Sequence, residues 1–255
     1  YFQGLNGDKD GSGGVKTVNI TDTTSAPWLD DNQFAGQVRE SRTLTGPTGS
    51  EDHGTIADPV STQTVTDGHV TAYQVATAQT RSRQTIANGA TRTGTTKNTY
   101  DNYGRLTQTE DAGDNAITGD ETCTRTRYAT NTTAWILGAV SEQSVMPTLC
   151  GTAEDQNQVN GWTQTLYDNT TTLGAAPTRG LPTTTKTLTG SGTNRQWATT
   201  TASYDQHGRT LTSTDPLGHT TTTSYTPTTG SPVTAVTVTT ADPDGPGPLT
   251  PLVST

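Results

Sequence analysis

The chain has 255 residues, of which 27% are hydrophobic and 15% are charged, and its formal net charge is −9. Its 15 Lys and Arg residues face 24 acidic residues without forming a basic run, which argues against the phosphate-neutralising surface that nucleic-acid binding needs. No stretch approaches the roughly 18 consecutive apolar residues of a membrane helix, so we expect neither a nucleic-acid partner nor a membrane span.

Threonine supplies most of the polarity of the chain. A low hydrophobic content can signal disorder, but disordered chains usually carry a high density of charge as well, and this chain does not. Threonine is β-branched and favours the pleated surface of a sheet. We therefore expect β-structure with a thin, partly polar core, and disorder is the alternative.

The first residues of the chain contain two recognisable patterns. Residues 1–4 (YFQG) are typical of the end of a cleavable expression tag and are left out of the fold prediction. Residues 6–13 (NGDKDGSG, Asn6 to Gly13) carry oxygen ligands at alternate positions, as a calcium loop does, but the closing Glu of such a loop is missing. A glycine-rich linker is the alternative for this segment. Residues 5–95 are predicted to form an N-terminal β region of divergent repeats.

Alternating apolar and polar residues between turn signals predict strands in that region. The first is residues 15–20 (VKTVNI). Residues 63–66 and 69–75 flank Asp67-Gly68, which predicts a two-residue hairpin, because glycine supplies the positive φ that such a turn requires. Residues 83–86 and 90–93 flank Asn88-Gly89 in the same way. No sustained helical period is present.

The chain has two cysteines, Cys123 and Cys150. A single pair in a cysteine-poor chain suits one disulfide in an oxidising compartment, and two free buried thiols are the alternative. Closing this loop would contribute roughly 3–4 kcal/mol in the chain-entropy model. Between the cysteines lies the most apolar run, residues 134–140 (AWILGAV), which predicts a buried strand.

One motif recurs in the second half of the chain. The segment YDNYGRLT begins at Tyr100, YDQHGRTLT begins at Tyr204, and a degenerate copy begins at Tyr167. The predicted structural residues are Tyr100, Asp101, Gly104 and Arg105 in the first copy, Tyr204, Asp205, Gly208 and Arg209 in the second, and Asp215, Gly218 and Tyr225 after it.

Each copy predicts one β-hairpin. The strand ends at Tyr-Asp, the aspartate accepts hydrogen bonds from turn amides two or three residues on, and glycine takes the left-handed position before the return strand. Tyrosine offers a large area to bury while its hydroxyl stays in polar surroundings. Because a single hairpin is only marginally stable, we expect an all-β fold: stacked antiparallel β-hairpins forming an extended curved or spiralling sheet.

The end of the repeat region is also predictable. Residues 96–240 are assigned to the repeat sheet, with residues 233–239 (VTAVTVT) as a late strand. Residues 241–255 are rich in Pro and Gly, which cannot pair into a sheet, and are predicted to be a linker or frayed tail.

The pattern Tyr-Asp-x-x-Gly-Arg, then Leu-Thr and Asp-x-x-Gly, resembles the YD or RHS repeat of large exported actinobacterial proteins. The resemblance covers residues 96–240 well and residues 5–95 loosely, and the two clear copies are irregularly spaced, 104 residues apart. It implies a spiralling β-sheet that can wrap into a hollow shell, as in polymorphic-toxin and teneurin-like shells. It further implies a secreted or cell-surface location, with the rest of the parent chain, including an enclosed C-terminal toxin or effector, as partner.

The sequence offers no convincing catalytic constellation. Adjacent acids, such as those at 110–111 and 120–121, point to opposite faces of a strand and are poorly placed for glycoside chemistry. The segment from Asp215 to Gly218 (DPLG) superficially resembles the self-cleaving end of RHS shells, but it occupies the ordinary aspartate position of the repeat. We expect a structural module that is not an enzyme and needs neither a cofactor nor a metal.

The alternative is a carbohydrate-binding or adhesive β-module with surface glycans as partners. It requires aromatic side chains exposed on one face of the sheet. The four tryptophans are Trp28, Trp135, Trp162 and Trp197. In a chain with so few apolar residues, we expect them to belong to the core instead.

Overall fold

The computed structural model describes residues 32–46, 49–190, 192–230 and 232–240, together with a short strand at Val253–Ser254. The predictions for residues 1–4, 6–13 and 15–20, for Trp28 and for most of residues 241–255 lie outside the described residues. Two 3-10 helices of three residues each occur among the described residues, at Asn32–Phe34 and Gly192–Asn194, and the rest of these residues form strands, turns and loops. No helix in the described ranges has the length and apolar character needed to cross a membrane.

The strands pair in the order in which they occur along the chain, in one sheet that is not closed. Every pairing for which the register is resolved is antiparallel. The all-β prediction of antiparallel hairpins is therefore confirmed. The strands are β1 (Glu40–Leu44), β2 (Glu51–Thr66), β3 (Thr71–Thr85), β4 (Thr91–Tyr100), β5 (Leu106–Asp114), β6 (Thr122–Asn131), β7 (Ile136–Met146), β8 (Gly161–Tyr167), β9 (Pro182–Thr189), β10 (Gln196–Tyr204), β11 (Thr210–Thr214), β12 (Thr220–Thr226), β13 (Ala235–Thr239) and β14 (Val253–Ser254).

The turn between β2 and β3 is longer than predicted. The Asp67 carboxylate accepts hydrogen bonds from the N–H groups of His69 and Val70, at 2.9 and 2.8 Å, and the Asp67 N–H donates to the Val70 carbonyl. These bonds hold a four-residue loop, so β3 begins at Thr71 and the two-residue hairpin was wrong. An aspartate side chain that caps its own turn outweighed the preference of Asp-Gly for a tighter one.

The apolar run at residues 134–140 is only partly a strand. Strand β7 begins at Ile136, and Trp135 lies in the preceding turn with φ at 55° and 75% of its surface exposed. Asn131 forms this turn by accepting a hydrogen bond from the N–H of Ala134. A core position for Trp135 was therefore a wrong prediction, because hydrophobicity alone does not locate a turn. The late strand is also shorter than predicted and begins at Ala235.

The chain divides into two compact units. The first comprises Tyr1–Arg125 and Met146–Ala153, and the second comprises Thr126–Val145 and Glu154–Thr255. Among the described residues of the first unit, the fully buried apolar side chains include Ile56, Cys123 and Met146. This set is small for a unit of that size, which fits the thin core expected from the composition.

Ion pairs supplement the core of the first unit. Arg39, only 2% exposed, pairs with Asp58, which also accepts a hydrogen bond from Arg81 at 2.8 Å. Arg83 pairs with Glu51 at 2.8 Å and with Glu40 at 2.7 Å. Pairing of this kind offsets the cost of burying these charges.

The second unit has its own small core. Its buried apolar side chains among the described residues include Ala129, Ala139, Val159, Leu166 and Leu188. Threonine, serine and glutamine occupy many of the other strand positions, and they range from exposed to buried. Cohesion therefore depends heavily on strand pairing and on side-chain hydrogen bonds to the backbone.

Candidate functional site: the tyrosine–aspartate turns and the cystine

The first motif forms the turn between β4 and β5. A register shift after Thr99 brings Tyr100 opposite Leu106. The Asp101 carboxylate accepts the N–H of Tyr103 at 2.9 Å and the N–H of Arg105 at 3.0 Å. The Asp101 backbone closes the same turn by donating its N–H to the Arg105 carbonyl.

The second motif repeats that turn between β10 and β11. A register shift after Ser203 brings Tyr204 opposite Thr210. The Asp205 carboxylate accepts the N–H groups of His207 and Arg209, at 2.8 and 2.9 Å, and the Asp205 N–H donates to the Arg209 carbonyl. The two copies are thus equivalent in hydrogen bonding as well as in sequence.

The turn at Asp215, between β11 and β12, uses the same bonds without a preceding tyrosine. The Asp215 carboxylate accepts the N–H groups of Leu217 and His219, both at 2.9 Å, and its N–H donates to the His219 carbonyl. His219 takes the place of the arginine, with its Nδ1 2.9 Å from the second carboxylate oxygen. The DPLG segment is therefore placed as a repeat turn.

The degenerate copy contains a long insertion but keeps the same closure. A register shift after Leu166 brings Tyr167 opposite Pro182, and the Asp168 N–H donates to the Leu181 carbonyl. The Asp168 carboxylate accepts four backbone N–H groups, from Thr178, Arg179, Gly180 and Leu181, at 2.7 to 3.0 Å. One carboxylate thus holds the far end of a loop, 10 to 13 residues away along the chain.

Tyrosine hydroxyls connect each motif to the strand before it. Tyr100 donates to the Thr77 carbonyl at 3.0 Å, Tyr167 to Val140 at 2.8 Å, Tyr204 to Pro182 at 2.9 Å and Tyr225 to Thr210 at 3.1 Å. The sequence predicted only that these hydroxyls meet polar surroundings. In each case the actual partner is a main-chain oxygen of the preceding strand, so the tyrosine fastens neighbouring hairpins together.

Positive φ angles explain the glycines of the motif. Gly104, Gly208 and Gly218 have φ at 68°, 80° and 90°. A side chain at any of these positions would be strained. Gly104 is also crowded, because an added Cβ would lie 1.6 Å from the Gln74 side chain, and Gln74 donates a hydrogen bond to the Gly104 carbonyl at 3.1 Å.

The motif arginines bind the motif aspartates. Arg105 donates from Nε to the Asp101 carboxylate at 2.8 Å, and Arg209 does the same to Asp205. Arg209 also lies over the ring of Tyr225, 4.5 Å from its centroid. Each arginine therefore serves its own turn, and Arg209 additionally joins its turn to the next tyrosine.

The turn carboxylates are held in their charged form. Burial raises the pKa of Asp101, but hydrogen bonds from Arg105 and Tyr103 together lower it by more. The pKa of Asp101 therefore lies below its ordinary value. The same balance lowers the pKa of Asp168, where burial opposes four backbone N–H groups. Because the charged form is the one bound in the folded state, these turns weaken when acid protonates them.

A disulfide joins Cys123 on β6 to Cys150 in the loop between β7 and β8, with 5.0 Å between the two Cα atoms. The backbone N–H of Cys150 donates to the Glu110 carboxylate at 2.9 Å. Arg125, two residues beyond Cys123, donates to the carbonyls of Cys150 and Thr152. The loop is therefore held by hydrogen bonds at the same place as the covalent link.

The second unit continues this pattern. Arg127, on the same face of β6 as Cys123 and Arg125, binds the carboxylate of Glu154, and it donates to Glu142 at 2.8 Å. Residues 123, 125 and 127 thus bind loop residues 150, 152 and 154 in turn. Sequence reasoning missed this ladder. The sequence feature that could have revealed it is the matching two-residue spacing of Cys-x-Arg-x-Arg at residues 123–127 and Cys-x-Thr-x-Glu at residues 150–154.

The described residues contain no group of three or more His, Cys, Asp or Glu side chains that could hold a metal ion. Two of the four histidines lie near the second motif. His207 contacts Gln206, and His219 contacts Asp215. The observed contacts of the motif residues are with main-chain groups of the turns and strands and with the side chains of their own turns.

Comparison with known proteins identified similar folds. The crystal structure of TcdB2–TccC3–Cdc42 matches 75% of this chain with a TM-score of 0.46 and 12% sequence identity. The crystal structure of TcdB2–TccC3 without the hypervariable C-terminal region matches 80%, with the same TM-score and identity. In each case this chain spans 16% of the length of the solved chain. No protein-family model and no curated protein matches the sequence.

Proposed function

We propose that this chain is a structural repeat module of a secreted or cell-surface RHS/YD-repeat protein. In this proposal it forms part of the wall of a β-shell that encloses a C-terminal toxin or effector. The observation that carries the proposal is a recurring contact, in which a tyrosine hydroxyl donates a hydrogen bond to a backbone carbonyl of the preceding strand. It occurs at Tyr100, Tyr167, Tyr204 and Tyr225. A device that fastens each hairpin to the previous one suits a sheet that grows by repetition.

The other features support a structural role. The aspartates of the motif are occupied by turn amides and by Arg105, Arg209 or His219, so their carboxylates serve the turns. The disulfide between Cys123 and Cys150 suits an oxidising compartment and hence export. In this proposal the module has no catalytic activity, and its partner is the rest of the parent chain.

The first experiment compares this chain with longer segments of its parent protein that contain adjoining repeats. Repeat arrays gain stability from each neighbour interface, so added repeats should raise the melting temperature of the hairpins described here. Amide hydrogen exchange at residues 100–106 and 204–210 reports on those hairpins specifically. An unchanged melting temperature and unchanged exchange would contradict the module proposal.

The second experiment tests enclosure in the intact parent protein. Protease is added to the secreted, oxidised protein, and the cleavage sites are mapped by mass spectrometry. A shell predicts that the segment following the repeats resists cleavage until the repeat sheet unfolds. Rapid cleavage of that segment while the hairpins remain protected would refute enclosure, and the repeat-module proposal would then be judged by the first experiment alone.

A further inference from the structure

One face of the sheet in the second unit carries Trp162 and Trp197 beside a lysine, and the proposed structural role does not account for this combination. Trp162 on β8 and Trp197 on β10 are half-buried, and their rings lie 6.3 Å apart in an edge-to-face arrangement. Leu188, directly opposite Trp197 on β9, is 8% exposed and lies on the same face. This rung of the sheet is apolar.

The neighbouring rung is polar. Gln164 lies opposite Lys186, and Lys186 lies opposite Thr199, so the three side chains share the tryptophan face. Because Gln164, Lys186 and Thr199 are each two residues from a member of the apolar rung, the two rungs are adjacent. We call the five residues Trp162, Gln164, Lys186, Trp197 and Thr199 the tryptophan–lysine patch.

The ammonium group of Lys186 is the unusual member of the patch. Lys97, the other lysine in the described ranges, pairs with Glu110 at 3.4 Å. Lys186 is half-buried, yet across the described part of the chain it forms no ion pair and no cation–π contact. A cation that no carboxylate of the described residues pairs with offers charge complementarity to an anion that binds beside it, and the apolar rung next to it strengthens that attraction.

The carboxylate nearest in the sheet is already engaged. Glu142 is opposite Gln164 and accepts hydrogen bonds from the Trp162 indole at 2.8 Å, from Gln164 at 2.9 Å and from Arg127 at 2.8 Å. These bonds fix the orientation of Trp162 and of the Gln164 amide, and within the described part of the chain no donor bonds to the amide oxygen of Gln164. The patch is therefore preorganised on rigid strands.

We propose that the tryptophan–lysine patch binds an acidic saccharide unit, a sugar ring that carries one carboxylate. The indoles offer an apolar surface for the C–H face of the ring, Lys186 supplies the counter-charge, and Gln164 and Thr199 offer hydrogen bonds to hydroxyl groups. A neutral sugar would leave Lys186 without a partner. A free organic acid would leave the tryptophans uncovered.

The proposal does not depend on the shell. It predicts binding by this chain alone, so failure of binding would leave the module proposal intact. Two kinds of glycan could supply a sugar ring with one carboxylate: a polymer with internal uronate units, and a glycan that ends in sialic acid. The probes are oligogalacturonate for the first, sialyllactose for the second, and lactose as the neutral control.

Titration calorimetry, with tryptophan fluorescence in parallel, measures binding to the oxidised chain. We expect at least one acidic probe to bind at least tenfold more tightly than lactose, and added salt to weaken that binding. Equal binding of acidic and neutral probes, or no binding of either acidic probe, would overturn the proposal. Which acidic probe binds identifies the source.

Matched variants locate the site. Lys186→Met should weaken acidic binding at least tenfold, whereas Lys186→Arg should retain it, and Lys97→Met is the control at a lysine outside the patch. Trp197→Ala should abolish binding, whereas Trp135→Ala removes the most exposed tryptophan and should change nothing. If Trp197→Ala fails to fold, Trp197→Phe keeps an aromatic surface and should weaken binding severalfold. Binding that survives both Lys186→Met and Trp197→Phe unchanged would overturn the location.

Discussion

Replacement of Asp168 tests whether one carboxylate holds the inserted loop of the degenerate repeat. Its Oδ2 accepts the N–H groups of Thr178, Arg179 and Gly180, and its Oδ1 accepts that of Leu181. In Asp168→Asn, the amide oxygen can take the position with three donors. The amide NH2 group must then face the N–H of Leu181, donor against donor.

The expected loss follows from the number and exposure of these bonds. Those to Thr178 and Arg179 are exposed, so water can replace them, whereas those to Gly180 and Leu181 are partly buried. A hydrogen bond to a charged group is worth about 1.5–3 kcal/mol. Asp168→Asn loses one partly buried bond and should therefore cost about 2 kcal/mol, and Asp168→Ala, which loses both, about 3–4 kcal/mol.

The assay is thermal unfolding followed by circular dichroism, with amide exchange at residues 178–181. A loss of about 2 kcal/mol lowers the melting temperature by about 4–8 °C in a chain of this size. Asp215→Asn is the matched control, because its amide can donate to His219 Nδ1 while its oxygen keeps the N–H groups of Leu217 and His219. An Asp168→Asn melting temperature no lower than that of Asp215→Asn would refute the reasoning.

The dependence on pH provides a second check. Hydrogen bonding lowers the pKa of Asp168 in the folded chain despite burial, which by itself raises it. Its contribution to stability is therefore complete above the unfolded pKa of about 3.9 and disappears as pH falls through the lower folded pKa. The difference in stability between the wild-type chain and Asp168→Asn should shrink below about pH 4. A difference that stays constant down to pH 2 would count against a charged acceptor.

Three further predictions concern the repeat turns and the cystine. Gly208→Ala should lower the free energy of unfolding by about 1–2 kcal/mol through left-handed strain alone. Gly104→Ala should lower it further, because the added Cβ would lie 1.6 Å from the Gln74 side chain. Gln74→Ala should relieve that excess in a double-mutant cycle, and full additivity of the two changes would contradict the clash. Tyr100→Phe and Tyr167→Phe should each cost about 1 kcal/mol in denaturant unfolding through the lost hydroxyl bond, and Tyr73→Phe, whose side chain is 44% exposed, is the control. Replacing both Cys123 and Cys150 by Ser should lower the free energy of unfolding by about 3.5 kcal/mol in the chain-entropy model; equal stability of the oxidised wild type and the double variant would show that the Glu110 and Arg125 contacts suffice.

Local turn chemistry made the repeats predictable. In Tyr-Asp-x-x-Gly-Arg, the carboxylate of Asp101 or Asp205 bonds to amides two and four residues away, and Gly104 or Gly208 relieves the only left-handed position. Both effects act within one turn, so the motif alone predicts a turn capped by aspartate and closed by glycine, although the second amide lies four residues on and not three. The same reasoning failed at Asp67, where the side chain caps a longer loop, and at Trp135, where a turn interrupts an apolar run.

By itself the sequence determined the all-β class, the positions of the repeat turns and the pair of cysteines, because strand alternation, turn residues and cysteine number are properties of short segments. Only the tertiary structure decided which residues meet between segments. The carbonyl that each tyrosine binds and the placement of Lys186 one rung away from Trp197 depend on strand register, and the ladder from Cys123 to Arg127 depends on how the loop between β7 and β8 meets β6. Register is a relation between distant segments, and a shift of one residue would send each of these side chains to the opposite face.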